Sequence, residues 1–368
     1  MAKTIQEILG GKNLTGVIQG VQAGVPQDLL PPALLATTRT VEGDYGTYTK
    51  VDGTRKTARL AQYGSPSQQR QLPGVSEVSV KLIHTVESVF HKPAVLMNLT
   101  SFDSDDKQRL GEQEIARRTA EFKRLFVNLR ASAVYSMLAQ GAIYFDADGN
   151  LLPDSTGSAV TVDFGISAGN KDQLDVFGDG DIIAADWSIA STEIHKHVAA
   201  IKRAARKLTG YPIRHAFYGS NLLDYFLDNT ALSSLISDNT GFQESAAGGE
   251  IPDGLLGLSW HPVEEAFYVD NDGSYQEFFD GDTVVFTPEP MPEWYELLEG
   301  TYPVPTDVGA VASDAAETLG GVAIDSGMFS YATVTTDPVA IKHVAGDTFL
   351  PVLKVPKAVF IAKVANYS

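Results

Sequence analysis

No cysteine occurs in the 368 residues, so neither a disulfide framework nor a thiolate metal site can form, and stability must come from packing or association. No apolar run approaches the length of about 18 residues that spans a bilayer. Met1 to Gly11 also lacks the apolar stretch of a signal peptide, so no membrane partner is expected. The most informative absence is of positive charge. Between His215 and Ile341 there is no lysine or arginine, and those 127 residues hold 22 acidic side chains. Tight sequence-independent binding of nucleic acid needs clustered Lys and Arg to displace counterions, so any contact of this half with nucleic acid is weak.

The net charge of −18 is unevenly spread: residues 1–145 are net +4 and the remainder net −22. With 43% hydrophobic residues the chain can bury a substantial core and should form two or three domains. Ser104 to Gly141 reads as one helix of about 36 residues, some 54 Å long at 1.5 Å per residue. Ser104 can cap it, Asp105 and Asp106 suit the positive end of its dipole, and Gly141 stops it. Ile115, Phe122, Phe126, Leu129, Ala133 and Met137 form one apolar stripe. Val127, Val134 and Leu138 form a second, so the C-terminal half is covered on two sides while the N-terminal half stays polar. A compact sphere barely contains such a rod. The chain is either elongated with this helix as a spine or part of a coiled coil, although Gly111, Arg117 and Arg118 interrupt a heptad seam. Arg109, Arg117, Arg118, Lys123, Arg124 and Arg130 mark either an acidic partner or a solvated face.

Thr4 to Glu7 carries a capping-box pattern for a short helix ending at Gly10-Gly11, followed by an arm to Thr38 in which Leu29 to Leu35 docks on another surface. Thr40 to Gln71 reads as a polar hairpin turning at Asp52-Gly53, with Arg55, Lys56 and Arg59 beyond the turn and little to fill a core. Isolated hairpins are marginal in water, so this arm should rest on something outside its own domain. Val78 to Val86 is a strand leading to the long helix, and Ile143–Phe145, Leu151-Leu152 and Val160–Phe164 are hairpin strands. Ile194 to Leu208 is a clean amphipathic helix with Lys202, Arg203, Arg206 and Lys207 on its other face. Ile213–Tyr218 is a strand, a short helix starts at Asn221, and Ser237–Asp253 is a loop. Leu258–Val269, Tyr275–Phe279 and Thr283–Thr287 form a strand meander, a Gly- and Ala-rich stretch runs to Gly327, and Ala358–Val364 is the last strand.

The chemistry-bearing patterns are weak. Gly165-Ile166-Ser167-Ala168-Gly169 matches a hydrolase nucleophile elbow, but the helix that must follow has no apolar periodicity, so Ser167 is a poor nucleophile candidate. Asp146–Asn150 and Asp270–Ser274 resemble the start of a calcium loop without the closing glutamate and read as turns that hold cations weakly at best. His195 and His197, two apart on a helix, cannot face one metal. No catalytic set, cofactor site or metal site is expected. A serine hydrolase using Ser167 and a surface binding module remain the alternative functions.

The order of parts, together with Asp186-Trp187, Gly210-Tyr211-Pro212 and the ending from Asp337-Pro338 through Leu350–Leu353 to Pro356, resembles the major capsid proteins of tailed phages. The likeness is to the family of the phage lambda major head protein, major capsid protein E. The resemblance implies an α+β chain with the Hong Kong 97-like phage capsid fold. It places an N-terminal arm at 1–38, an extended hairpin loop at 39–77, a peripheral domain at 78–186 with its spine helix at 104–141, an axial domain at 187–340, and a return to the peripheral domain at 341–368. It implies a non-enzymatic shell protein that assembles in the host bacterial cytoplasm into hexamers and pentamers, ending in the virion. The implied partners are other copies, a separate scaffolding protein, a portal protein, a decoration protein, and packaged double-stranded DNA held by weak non-specific contact. Arg55, Lys56, Arg59, Arg117 and Arg118 are the candidate intersubunit contacts.

Overall fold

The computed structural model describes residues 11–20, 34, 37–51, 75–91, 105–147, 151–152, 155–171, 183, 185–263, 268–269, 275–276, 280–290, 292–305, 322–336 and 339–365. Helix α1 (Gly11–Gly20) starts where the sequence reading ends its first helix and enters an arm. Leu14 and Ile18, one turn apart, are buried, and Thr15 Oγ1 donates to the Ser330 carbonyl at 3.0 Å. Docking on the protein's own sheet, which no local cap announces, holds this segment helical. Leu34 is likewise buried in the main core of its own chain.

Strand β1 (Thr38–Val41) runs on to β2 (Tyr45–Val51), β3 (Val75–Lys81) and β4 (Ile83–His91). The strand that pairs with β2 is β3, with Tyr45 opposite Lys81 and Val51 opposite Val75. The chain therefore leaves at Val51 and returns directly across from it. Asp52-Gly53, Arg55, Lys56 and Arg59 fall in 52–74, outside the described residues. One strand was expected between Val78 and Val86. Two are present, broken at Leu82, whose side chain is buried and whose N–H donates to the Asp44 carbonyl at 2.8 Å. The base of the hairpin is not coreless either: Tyr48 is buried in the main core, with Val51, Val78 and Val80 packed against it.

The spine helix α2 (Asp105–Gln140) has 36 residues, as the spacing predicts. Ile115, Phe122, Phe126, Ala133 and Met137 of the first stripe are buried, and from Arg130 to Leu138 every side chain is buried. Gly141 ends the helix with φ +72. Next come β5 (Ala142–Phe145), β6 (Leu151–Leu152) and β7 (Val160–Asp163), a small antiparallel sheet where the hairpin strands were expected.

Helix α3 (Ile194–Leu208) and β8 (Ile213–Tyr218) follow the predicted limits. The region read as one short helix and a loop is instead three helices: α4 (Leu222–Asp228), α5 (Thr230–Ser237) and α6 (Thr240–Ala247). Asn229 and Asn239 cap α5 and α6 by accepting hydrogen bonds from the N–H groups two and three residues on. Leu232 and Ile236 bury the apolar side of α5, and Phe242 and Ala246 pack on the same core. After β9 (Ser259–Pro262), β10 (Tyr268–Val269), β11 (Tyr275–Gln276) and β12 (Thr283–Pro288), the strands do not form a simple meander. The four-stranded sheet runs β17-β12-β8-β9, with β17 (Phe360–Lys363) drawn from the end of the chain and β9 parallel to β8. The last strand of the chain, expected at Ala358–Val364, therefore joins β12.

The sequence reading overlooked β13 (Tyr295–Pro305), β14 (Val322–Ser326), β15 (Phe329–Thr336) and β16 (Val339–Leu353). Strand β16, 15 residues long, pairs with β15, β4 and β13 and organises a six-stranded sheet that also takes in β1 and β14. A strand covered on both faces loses the alternation that identifies half-buried strands: Tyr295 to Leu298 and Phe349 to Leu353 are buried without a break.

Two cores result. The main one lies between α2, the six-stranded sheet and one face of the four-stranded sheet, where Phe217, Val285 and Ile361 point. The other face, with Ala216, Tyr218, Val284, Phe286, Phe360 and Ala362, packs beneath α3 to α6 around Trp187 and Trp260. A single sheet is thus the shared wall of both cores, and the alternation of side chains along β8, β12 and β17 assigns each residue to one of them.

Candidate assembly surfaces

Ser167 sits just before a single 3-10 turn, Ala168–Asn170. Its Oγ donates to Asn170 Oδ1 at 3.2 Å, and Asn170 Nδ2 in turn donates to the carbonyls of Lys357 and Val359. The serine helps hold a turn against the C-terminal strand. It lacks the strand–elbow–helix setting that exposes a nucleophile. Among the described residues, no group of three or more His, Asp or Glu side chains is placed to hold a metal ion. Asp270–Ser274 lies outside the described residues, and no described helix is long and apolar enough to cross a membrane.

The basic residues of the spine separate into different roles. Arg117 and Arg118 project from the polar half and are bracketed by Glu114 and Glu121 one turn away, at 2.8 to 3.6 Å. The hydrogen bond from Arg117 is the leading cause holding the Glu114 carboxyl below its ordinary range, with both arginine charges adding to it. Lys123 reaches the Gln19 carbonyl of α1 at 2.7 Å. Arg130 marks neither a partner nor a solvated face. It is buried and forks onto Asp347 through Nε and Nη2 at 2.6 and 2.7 Å, while Nη1 donates to Glu299 at 2.7 Å. Burial works against its charge, but the two carboxylates outweigh burial and keep it protonated, and Phe349 lies under the guanidinium at 5.3 Å. This triad bolts the spine to β13 and β16. Nothing at Arg130 in the sequence distinguishes it from its exposed neighbours, because its partners are 169 and 217 positions away.

A second buried polar chain ties α1 to the sheet. Ser330 Oγ and His343 Nε2 are 2.7 Å apart, His343 Nδ1 faces His91 Nε2 at 3.4 Å, and the Ser330 backbone meets Thr15. Burial, reinforced by the neighbouring His91, pushes His343 down to about 4.

The region beyond Trp187 shows two surfaces of opposite sign. All six Lys and Arg residues between Trp187 and Ala340 fall between Lys196 and Arg214, on α3 and the start of β8. Lys196, Arg203, Arg206, Lys207 and Arg214 are exposed there. Helices α4 to α6 and the turn after them carry exposed Asp224, Asp228, Asp238, Glu244, Glu250 and Asp253 and no basic residue. A groove of about 440 Å³ opens in this cap, lined in part by Ser220, Leu223, Asp224, Gly249, Glu250 and Val263. It escapes sequence reading because it forms where the start of α4, the turn after α6 and the ends of β8 and β9 meet in space.

The architecture is shared along its whole length with solved phage structures. One is described as a prophage capsid protein of Escherichia coli CFT073, at 15% identity and a TM-score of 0.55, covering 97% of this chain and 99% of that one. A phage-related protein of Bordetella bronchiseptica RB50 superposes at 12% identity and a TM-score of 0.52, covering 97% and 98%. No curated protein matches the chain. The fold is therefore that of phage capsid proteins, mixed helices and sheets in an arrangement consistent with the Hong Kong 97-like fold. The chain belongs to the phage major capsid protein E family, whose family model matches residues 12–364. It is a phage capsid shell protein, a structural component of the virion, and neither the hydrolase nor the binding-module alternative is supported.

Proposed function

We propose that this chain is the major head protein of a tailed double-stranded DNA phage, forming hexamers and pentamers that close an icosahedral shell around the genome. The division of labour follows the two cores. The spine helix with the six-stranded sheet is the peripheral part, and α3 to α6 over the four-stranded sheet are the axial part. Chain 52–74, with Arg55, Lys56 and Arg59, is the loop that reaches a neighbouring subunit. The observation that carries this reading is the β2–β3 pair, anchored in the main core by Tyr48 while spanning a 23-residue excursion with four basic residues and one acidic. A segment with that composition has little to bury by itself, and an acidic neighbour supplies what it lacks.

The finer partners are a separate scaffolding protein, a portal, a decoration protein and weakly held DNA, with assembly in the host bacterial cytoplasm. Arg117 and Arg118, whose charges are already shared with Glu114 and Glu121, serve as rim contacts that set orientation rather than as affinity anchors. The test is direct: the expressed protein is analysed by sedimentation and negative-stain microscopy. Capsomers or closed particles are expected. A species that stays near 39.5 kDa across concentration would refute the reading.

A further inference from the structure

Resting on the shell reading, we propose a specific ring contact: the basic face of α3 in one subunit docks into the acidic groove of the α4–α6 cap of the next subunit around the capsomer axis. Rings are built from heterologous interfaces, in which one patch meets a different patch on the neighbouring copy. This axial part carries two patches that suit each other. On α3, Lys196, Arg203 and Lys207 are spaced by seven and four residues and so lie in one row, about 16 Å long at 1.5 Å per residue. Arg206 and Arg214 extend the positive surface, and both depress the ionisation of the half-buried Lys202, behind the larger effect of its burial. Lys196 is paired with Glu193 at the N-cap of the same helix, and an opposite surface from a neighbouring copy adds favourable contacts to the face as a whole.

The cap supplies that surface. Its groove is wide enough for arginine or lysine heads, its charged lining consists of the Asp224 and Glu250 carboxylates, and no cation of its own segment competes for them. The groove's apolar walls at Leu223 and Val263 suit the methylene stems of such side chains. Exposed Leu227 and Leu235 on α4 and α5 add apolar surface to the same cap. The occupant is thus a second copy of this chain. A nucleic acid phosphate backbone would fit the α3 row but leave the acidic groove unexplained.

The test is a charge swap in the full-length chain. Arg203→Glu with Arg206→Glu, and separately Asp224→Lys with Glu250→Lys, should each lower the yield of capsomers by about tenfold or more, because like charges then face each other. All four sites are exposed, and unchanged circular dichroism and melting temperature check the fold. The four-fold variant, which exchanges the signs of both patches, should recover assembly toward the native yield. Milder Arg203→Gln with Arg206→Gln should give an intermediate loss. Native-like assembly of either two-site reversal, or no recovery in the exchanged variant, overturns the contact. Normal particles with less co-purifying nucleic acid from the α3 variant would assign that face to the genome and overturn it too. Wild-type protein that never forms capsomers would instead count against the shell reading itself.

Discussion

At the residue scale, a few buried polar groups depend on partners from distant parts of the chain. Asp347 is fully buried, with two hydrogen bonds from Arg130. Removing the guanidinium leaves that carboxylate unpaired in a dry site. Arg130→Ala should therefore destabilise the subunit by about 3–5 kcal/mol, read from the midpoint of denaturant unfolding. Replacing Arg130 by Met together with Asp347 by Leu should cost clearly less, since only Glu299, which is partly exposed, then loses its partner. His343 makes the second prediction. Its folded-state value of about 4 lies below the ordinary 6.5, so between those values the unfolded chain binds a proton that the native state refuses. The stability contributed by the neutral ring is fully present above pH 6.5 and is lost as pH falls from 6.5 toward 4. The groups facing it are His91 of β4, Ser330 of β15 and the Phe122 edge, with Glu114 and Arg118 acting on His91 from α2. Unfolding free energy measured across that window should fall with acid, and His343→Gln should flatten the slope. An unchanged slope in the variant would place the acid sensitivity elsewhere.

At the element scale, the hairpin and the spine carry the assembly argument. The β2–β3 pair is rooted at Tyr48 in the main core, so changes in its distal segment should leave the subunit intact. Arg55→Glu, Lys56→Glu and Arg59→Glu combined should block shell formation while circular dichroism stays native. Particles in normal yield would show that the loop is no intersubunit clamp. The spine helix was legible because 36 residues of consistent periodicity are marked at both ends by Ser104 and Gly141. Helices α5 and α6 were not, because eight residues give barely two turns of pattern and their Ser, Thr and Gly content reads as loop. Tertiary docking of Leu232, Ile236 and Phe242 outweighs that propensity.

At the scale of the whole molecule, two electrostatic effects of opposite sign act on assembly. Each subunit carries a net −18, and the stretch from His215 to Ile341 holds 22 acidic residues and no basic one. This repulsion acts over distance and is screened once the Debye length shrinks from about 30 Å at 0.01 M salt to about 10 Å at 0.1 M. Close pairs of the kind proposed between α3 and the cap survive that screening and weaken only toward about 1 M, where the length is about 3 Å. Capsomer stability should therefore pass through a maximum at intermediate ionic strength. Sedimentation across a salt series measures it, and a flat response would leave the acidic residues as a solubility device alone.

The sequence by itself determined the features that rest on local repetition or on counting. These are the spine helix and its buried stripe, α3 with its cationic face, the strands β5, β7 and β8, the separation of charge, and the resemblance that pointed to a phage capsid protein. Apart from the resemblance, which rests on the order of parts along nearly the whole chain, each depends on residues within a few turns of one another or on composition alone. Only the tertiary structure decided which strands meet: β2 with β3, β17 with β12, and β16 at the centre of six. It also decided that Arg130 is a buried bolt while Arg117 remains at the surface, and that an acidic groove stands in the same part of the molecule as the cationic helix. Strand pairing and the burial of charge are set by partners outside any local window, 24 positions apart for Val51 and Val75 and 217 apart for Arg130 and Asp347. Their free energies exist only once the chain has closed those loops, and no local pattern encodes them.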